Sequence, residues 1–181
     1  MNFWKICLKL SGWKTEITVP YRDKAIICVV PHTSNWDFII GLIAYRAIGR
    51  KACFLMKEFW FFFPLNYILK SLGGIPVRRD TRNSMTLTIA DDFKSCTRLN
   101  LAITPEGTRK PVDQWKTGFL RIAYNANVII QLGLIDYLEK KVVITTEYEP
   151  TGYIETDLLN IKTYYSQFGK VARHPQNFKS I

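Results

Sequence analysis

At 181 residues the chain has the length of one ordinary domain, and 48% hydrophobic with 14% aromatic residues supplies a core, which excludes a disordered tail or linker. Lys and Arg number 25 against 15 Asp and Glu, and the resulting +10 suits nucleic acid, an anionic membrane surface or an anionic substrate. The whole surplus lies at or before Arg121, since the residues after it carry equal numbers of basic and acidic groups.

The chain opens on an amphipathic segment from Phe3 to Trp13, in which Phe3, Trp4, Ile6, Cys7, Leu8, Leu10 and Trp13 recur near helical spacing with Lys5, Lys9 and Lys14 off the stripe. These lysines and Gly12 interrupt the apolar residues too often for a signal peptide or a membrane span. Short apolar runs then alternate with helical patterns. Strands are expected at Ala25 to Pro31, Ala52 to Met56, Ile75 to Arg78, Leu99 to Thr104, Val128 to Leu134 and Val142 to Tyr148. Helices are expected at Asp37 to Gly49, Phe59 to Leu72, Arg82 to Cys96, Thr117 to Ala126 and Glu155 to Phe168. Fully apolar strands taking turns with helices predict an α/β fold, a mostly parallel central sheet flanked by helices. No repeat or linker divides residues 1–181, so a single domain is expected: a basic aromatic segment over 1–24, a motif-bearing core over 25–134, and a closing strand and helix over 135–181.

Cys7, Cys28, Cys53 and Cys96 form no C-x-x-C pair, which argues against a zinc site or a disulfide scaffold and for reduced thiols in a cytoplasmic protein. Two segments could rest on a membrane surface: the N-terminal one, and the aromatic block Phe59-Trp60-Phe61-Phe62-Phe63. A plain core-covering helix is the competing reading of each.

In such sheets, working residues collect where strands end at their carboxyl side. There the sequence places His32-Thr33-Ser34-Asn35-Trp36-Asp37, Arg78-Arg79 and Thr104-Pro105-Glu106-Gly107-Thr108-Arg109. Ser34 to Asp37 reads as a capping box, which puts Asp37 in the first turn of a helix and His32 in the loop before it. A carboxylate on one imidazole nitrogen fixes the tautomer and leaves the other nitrogen to take a proton from a hydroxyl. H-x4-D alone is a weak signal, since Asp37 could cap and His32 could be an ordinary loop histidine. In the second loop, Gly107 permits close approach, Thr108 offers a hydroxyl and Arg109 a fork that matches phosphate oxygens. A surface turn pairing Glu106 with Arg109 is the bland alternative. His174, in a polar tail, is assigned no role.

Together these segments resemble the glycerolipid acyltransferases that share H-x4-D, the 1-acyl-glycerol-3-phosphate acyltransferase family. His32 to Asp37 matches the first motif, Gly73 to Arg79 resembles the second, Thr104 to Arg109 matches the third, and Asn127 to Gly133 resembles the fourth. Trp115-Lys116-Thr117-Gly118 resembles a segment that follows the third motif. Pro31, Pro76, Arg78, Thr104 and Ile129 depart from the family pattern, which bears on the acyl channel and the acceptor rather than on the base.

The resemblance implies a glycerol-3-phosphate acyltransferase-like fold and transfer of a fatty acyl group from acyl-CoA or acyl carrier protein to the free hydroxyl of a lysophospholipid. It makes His32 the general base oriented by Asp37. It makes Arg79, Arg109 and Lys116 phosphate ligands in a loop shaped by Glu106, Gly107 and Thr108, with Glu106 positioning Arg109 by a salt bridge and the Gly107 N–H near the developing oxyanion. No bound cofactor and no metal are implied. A lysolipid, a thioester donor and an anionic membrane surface are the expected partners, at the cytoplasmic face. Glycerol 3-phosphate or a lyso-aminolipid is the alternative acceptor. A non-catalytic domain binding an anionic ligand or nucleic acid is the alternative of another class, although no nucleic-acid motif appears.

Overall fold

The computed structural model describes residues 3–77 and 82–179, with only the backbone of 82–84. A helix α1 (Phe3–Leu10) leads into a strand β1 (Lys14–Ile17). Then come β2 (Lys24–Val29), α2 (Asn35–Ala47), β3 (Cys53–Lys57), α3 (Leu65–Leu72), β4 (Gly74–Val77), α4 (Arg82–Ser95) and β5 (Leu99–Ile103). The chain continues through α5 (Gly118–Ala126), β6 (Ile129–Asp136), β7 (Lys141–Tyr148) and α6 (Ile154–Ser166).

Seven strands form one sheet in the order β1-β7-β6-β2-β5-β3-β4. β2 to β6 run parallel, β7 runs antiparallel to β6, and β1 pairs parallel to β7. The mostly parallel sheet expected from apolar strands is therefore the one formed. β2, whose sequence is K-A-I-I-C-V, lies between β5 and β6 with Ala25, Ile26, Ile27 and Cys28 buried, because a central strand of a covered sheet meets core on both faces.

On one face, Ile89 and Phe93 of α4, Phe119 and Leu120 of α5 and Ile161 and Tyr165 of α6 pack with Ile26, Leu101 and Ile130. Each such fully buried large side chain contributes about 1.5–3 kcal/mol relative to exposure. Tyr165 also donates its single hydroxyl proton between Cys28 O at 2.6 Å and Gly133 O at 3.1 Å, which holds α6 against β2 and β6 just before the histidine loop. On the other face, Ile40, Ala44 and Tyr45 of α2 cover Ile27, Ile135, Val142 and Ile144. α1 packs on α2, and Arg46 of α2 donates to Leu72 O at 2.9 Å, which ties the end of α3 to the same layer.

Two expectations change. The helix expected over Phe59 to Leu72 is broken into a short 3-10 turn (Glu58–Trp60) and α3, because Pro64 lacks an N–H and disfavours helical backbone at Phe63. The strand β1 was not expected. Lys14–Ile17 is a short, half-exposed edge strand whose only signature is its pairing with Lys141–Ile144. Other strand and helix ends differ from expectation by one or two residues.

Candidate active site

Because β2 and β5 are parallel neighbours, the loops leaving their carboxyl ends lie side by side. This brings His32 to Asp37 against Thr104 to Arg109, although some seventy residues separate them. β4 lies at the sheet edge, two strands beyond β5, and Arg79, the phosphate ligand expected after it, lies outside the described residues.

The capping box forms as the sequence predicts. Ser34 is the N-cap of α2, its hydroxyl accepts from Trp36 N at 3.2 Å, and Asp37 accepts from Ser34 N at 2.9 Å. The same oxygen, Oδ2, accepts from Thr33 N at 2.9 Å and lies 3.1 Å from His32 Nδ1. The carboxylate therefore caps the helix and holds the imidazole at once, so the two readings of Asp37 were never alternatives. Burial pushes its pKa up, but hydrogen bonds from His32, Tyr137 and the Ser34 backbone outweigh this and hold it below the ordinary carboxylate range. An ionised Asp37 fixes Nδ1 as the donor and makes Nε2 the basic nitrogen. No hydrogen bond engages Nε2 among the described residues.

Tyr137, in the turn after β6, supplies what the sequence did not reveal. Its hydroxyl donates to Asp37 Oδ1 at 2.6 Å, so both carboxylate oxygens are occupied. Trp13 packs edge-on against the Tyr137 ring at 5.1 Å, and the Arg173 guanidinium lies 5.9 Å from its centroid. Nothing in the local sequence around Tyr137 marks it, because its partner is 100 residues away.

Glu106 is placed differently from expectation. It is 5% exposed and accepts the His32 backbone N–H at 2.6 Å, and no ion pair joins it to Arg109 among the described residues. Its place beneath the histidine loop, rather than beside solvent, removes the salt-bridge role. Burial pushes its pKa up to about 8, the His32 N–H opposes that rise, and the Asp37 charge adds to it. Gly107 adopts φ of +64°, but its N–H donates to Thr104 O at 3.0 Å. That N–H closes the turn and is not directed at an oxyanion. A side chain at Gly107 would collide with Lys116, whose amine lies over this turn while its backbone N–H donates to Pro105 O at 2.8 Å.

Beside this pair lies a polar cavity of about 440 Å³ lined by Thr33, Ser34, Asn35, Thr108, Arg109, Lys110, His174 and Asn177. Of the expected phosphate residues, Thr108 and Arg109 reach it; Glu106, Gly107 and Lys116 instead build the turn that carries them. Trp36, Ile39, Ile40, Tyr137 and Arg173 are among the residues of a second, mainly apolar groove of about 380 Å³, with Leu8 and Trp13 on its N-terminal side. No three His, Cys, Asp or Glu side chains converge as metal ligands among the described residues.

Residues 14–132 match the family described as Acyltransferase. No curated protein matches the sequence significantly. The fold is similar to the crystal structure of the 1-acyl-sn-glycerophosphate acyltransferase PlsC from Thermotoga maritima, with a TM-score of 0.60 and 18% identity over 92% of this chain and 76% of that one. The family match spans well over half of the chain and contains both motif loops together with β2 and β5, which set them side by side. The chain therefore belongs to the acyltransferase family and is an acyltransferase enzyme.

Proposed function

We propose that the protein transfers a fatty acyl group from a thioester, acyl-CoA or acyl carrier protein, to the free hydroxyl of a 1-acyl-glycerol-3-phosphate-like lysophospholipid. The carrying observation is the His32–Asp37 pair, with both carboxylate oxygens occupied by donors, beside a cavity lined by Arg109 and Lys110. His32 Nε2 takes the hydroxyl proton as the acceptor oxygen attacks the thioester carbonyl carbon. The tetrahedral intermediate collapses with cleavage of the C–S bond, and the imidazolium returns its proton to the departing thiolate. Asp37 stabilises the imidazolium while it exists. Base catalysis of this kind is worth about 10²–10⁴ in rate.

The activity of the structurally similar PlsC, a 1-acyl-sn-glycerophosphate acyltransferase, favours a phosphate-bearing acceptor. So does the cavity, whose charged lining residues, Arg109 and Lys110, are both cationic.

The membrane surface is read from the layer containing α1 to α3. Phe59 and Phe63 are each 79% exposed, and Phe3, Leu10, Trp60, Phe62, Tyr67 and Ile68 are also exposed. With Lys5 and Lys9 in α1, Lys70 in α3 and Lys57 at the end of β3 just before the aromatic block, this layer suits an anionic lipid interface at the cytoplasmic face. No helix among the described residues is long and apolar enough to cross a membrane.

The experiment is to express the chain, extract the lipids, and compare their acyl profile with that from His32→Ala. In parallel, purified protein is assayed with acyl-CoA and acyl carrier protein donors against 1-acylglycerol 3-phosphate, glycerol 3-phosphate and a lyso-aminolipid. Transfer to the lysophosphatidate that disappears in His32→Ala is the expected result. Preference for another acceptor corrects the substrate, and turnover that survives in His32→Ala removes the mechanism.

A further inference from the structure

After α6 the chain doubles back across the mouth of the site. This C-terminal strap, residues 167–179, lies wholly beyond the family match, which ends at residue 132. It is tied down along its length. Val171 O accepts from Tyr137 N at 2.9 Å, Ala172 is buried, and the Arg173 guanidinium lies 5.6 Å from the Trp36 ring centroid. His174 N donates to Thr33 Oγ1 at 3.2 Å, and Lys179 pairs with Asp113 at 2.8 Å. Phe178 packs into the core cluster beneath α5 and α6.

The consequence of this anchoring is chemical. A 3-10 turn (Pro175–Asn177) presents the strap to the polar cavity, where His174 and Asn177 face a lining that also includes Thr108, Arg109 and Lys110. The lining holds two cationic side chains, an imidazole and neutral hydroxyl and amide groups, with no carboxylate. Such a set takes an anion, and a phosphate monoester offers enough oxygens for an Arg fork, a Lys and a His at once. Thr33, Ser34 and Asn35, which follow His32 in its loop, line the cavity, so an anion held there lies against the loop that carries the base.

We propose that the phosphate monoester of the acceptor is gripped from two sides, by Arg109 and Lys110 of the turn after β5 and by His174 and Asn177 of the strap. His174 is then a specificity-determining residue contributed by a segment outside the shared acyltransferase core. This rests on the reading that the acceptor carries a phosphate, and it assigns a function to a histidine that the motif pattern leaves unused.

The test has two arms. In the first, His174→Ala and Asn177→Ala are assayed with 1-acylglycerol 3-phosphate and acyl-CoA. We expect the acceptor KM to rise about 10-fold or more in each, with kcat and the donor KM within two-fold, because loss of one hydrogen bond to a charged group costs at least about that factor. An unchanged acceptor KM, or a rise in the donor KM instead, overturns the proposal. Two different substitutions guard against a local folding defect at either position.

The second arm needs no turnover. The chain has two histidines, so ring resonances in ¹H–¹⁵N spectra are assigned by comparison with His174→Ala. Inorganic phosphate and glycerol 3-phosphate should each shift the His174 resonances saturably, glycerol should not, and 1-acylglycerol 3-phosphate should displace inorganic phosphate. An unperturbed His174, or bound phosphate that the lysolipid does not displace, overturns it. If phosphate binding at His174 is seen and no acyl transfer is detected, the functional reading fails while the anion site stands.

Discussion

Tyr137 donates its hydroxyl proton to Asp37 Oδ1 over 2.6 Å, on the opposite oxygen from the one that faces His32. The phenol acts on the base through the carboxylate. Its donation keeps Asp37 ionised and its plane fixed, while burial and the carboxylate together push the Tyr137 pKa up and keep it a donor.

Replacement of Tyr137 by Phe keeps the ring packing and removes that donor together with the hydroxyl's interaction with the Arg173 guanidinium. We expect kcat to fall about 10-fold or more, the loss of one hydrogen bond to a charged group, with both KM values unchanged. The pH dependence of kcat should also change on its acid limb, because Asp37 then supports the imidazolium differently. Initial rates across pH read both effects, and a Phe variant with parental kcat at every pH would show that Tyr137 only fills space.

Asp37→Asn keeps a side-chain oxygen for the Thr33 and Ser34 N–H groups and an amide that Tyr137 can meet, but removes the charge. Turnover should therefore fall more than folding stability does. A decrease of about 10²-fold or more in kcat is expected, against about 1–2 kcal/mol in unfolding free energy. Urea titration beside the rate assay separates the two, and equal loss of rate in a fully folded Asp37→Ala and Asp37→Asn is compatible with this, whereas parental activity in Asp37→Asn is not.

Glu106 sets a pH dependence of stability. Unfolded, its carboxyl ionises near the ordinary 4.5; folded, its pKa is pushed up to about 8. Between these values the folded chain holds a proton that the unfolded chain has lost. The stability from this group is therefore full below about pH 4.5 and falls as pH rises towards 8, by roughly 3–5 kcal/mol in total. Glu106→Gln keeps the acceptor for His32 N and should abolish that slope, becoming the more stable form at pH 8.5. Urea midpoints at pH 5.5 and 8.5 measure it, and identical slopes in parent and variant would contradict the assignment.

At Gly107 the backbone φ of +64° and the overlying Lys116 amine both oppose a side chain. Gly107→Ala should cost about 1–2 kcal/mol from the left-handed backbone alone. The flexible end of Lys116 can swing aside, but the strained backbone carries Thr108 and Arg109, so acceptor KM should rise as well. A variant with unchanged KM would mean that the turn does not orient the anion site.

For the membrane face, the doubly substituted Phe59→Ser, Phe63→Ser chain removes two side chains that are each 79% exposed. Folding should be unaffected, because both project from the surface, while sedimentation with phosphatidylglycerol-containing vesicles at low salt should fall several-fold. Parental sedimentation would move the lipid contact elsewhere on the molecule, and failure of the parent to sediment would remove it.

By itself the sequence determined the layers, the mostly parallel sheet and the family. An apolar run as short as Ala25 to Pro31, bounded by polar residues, suits a covered strand better than a helix, and Ser34 to Asp37 carries its cap within four residues. Those features are local, so periodicity and spacing record them. Pro64 is local too, and its missing N–H marks the break in the expected helix.

What only the tertiary structure decided is which distant groups meet. The order of β2 beside β5 puts Glu106 under His32, 74 residues away, and makes it a buried loop anchor instead of the partner of Arg109. The turn after β6 brings Tyr137 to Asp37, and the strap after α6 brings His174 to the cavity that Arg109 also lines. A hydrogen bond between residues so far apart leaves no period in the chain. It depends on strand order and on where helices cross the sheet, and these follow from burying all the apolar faces at once.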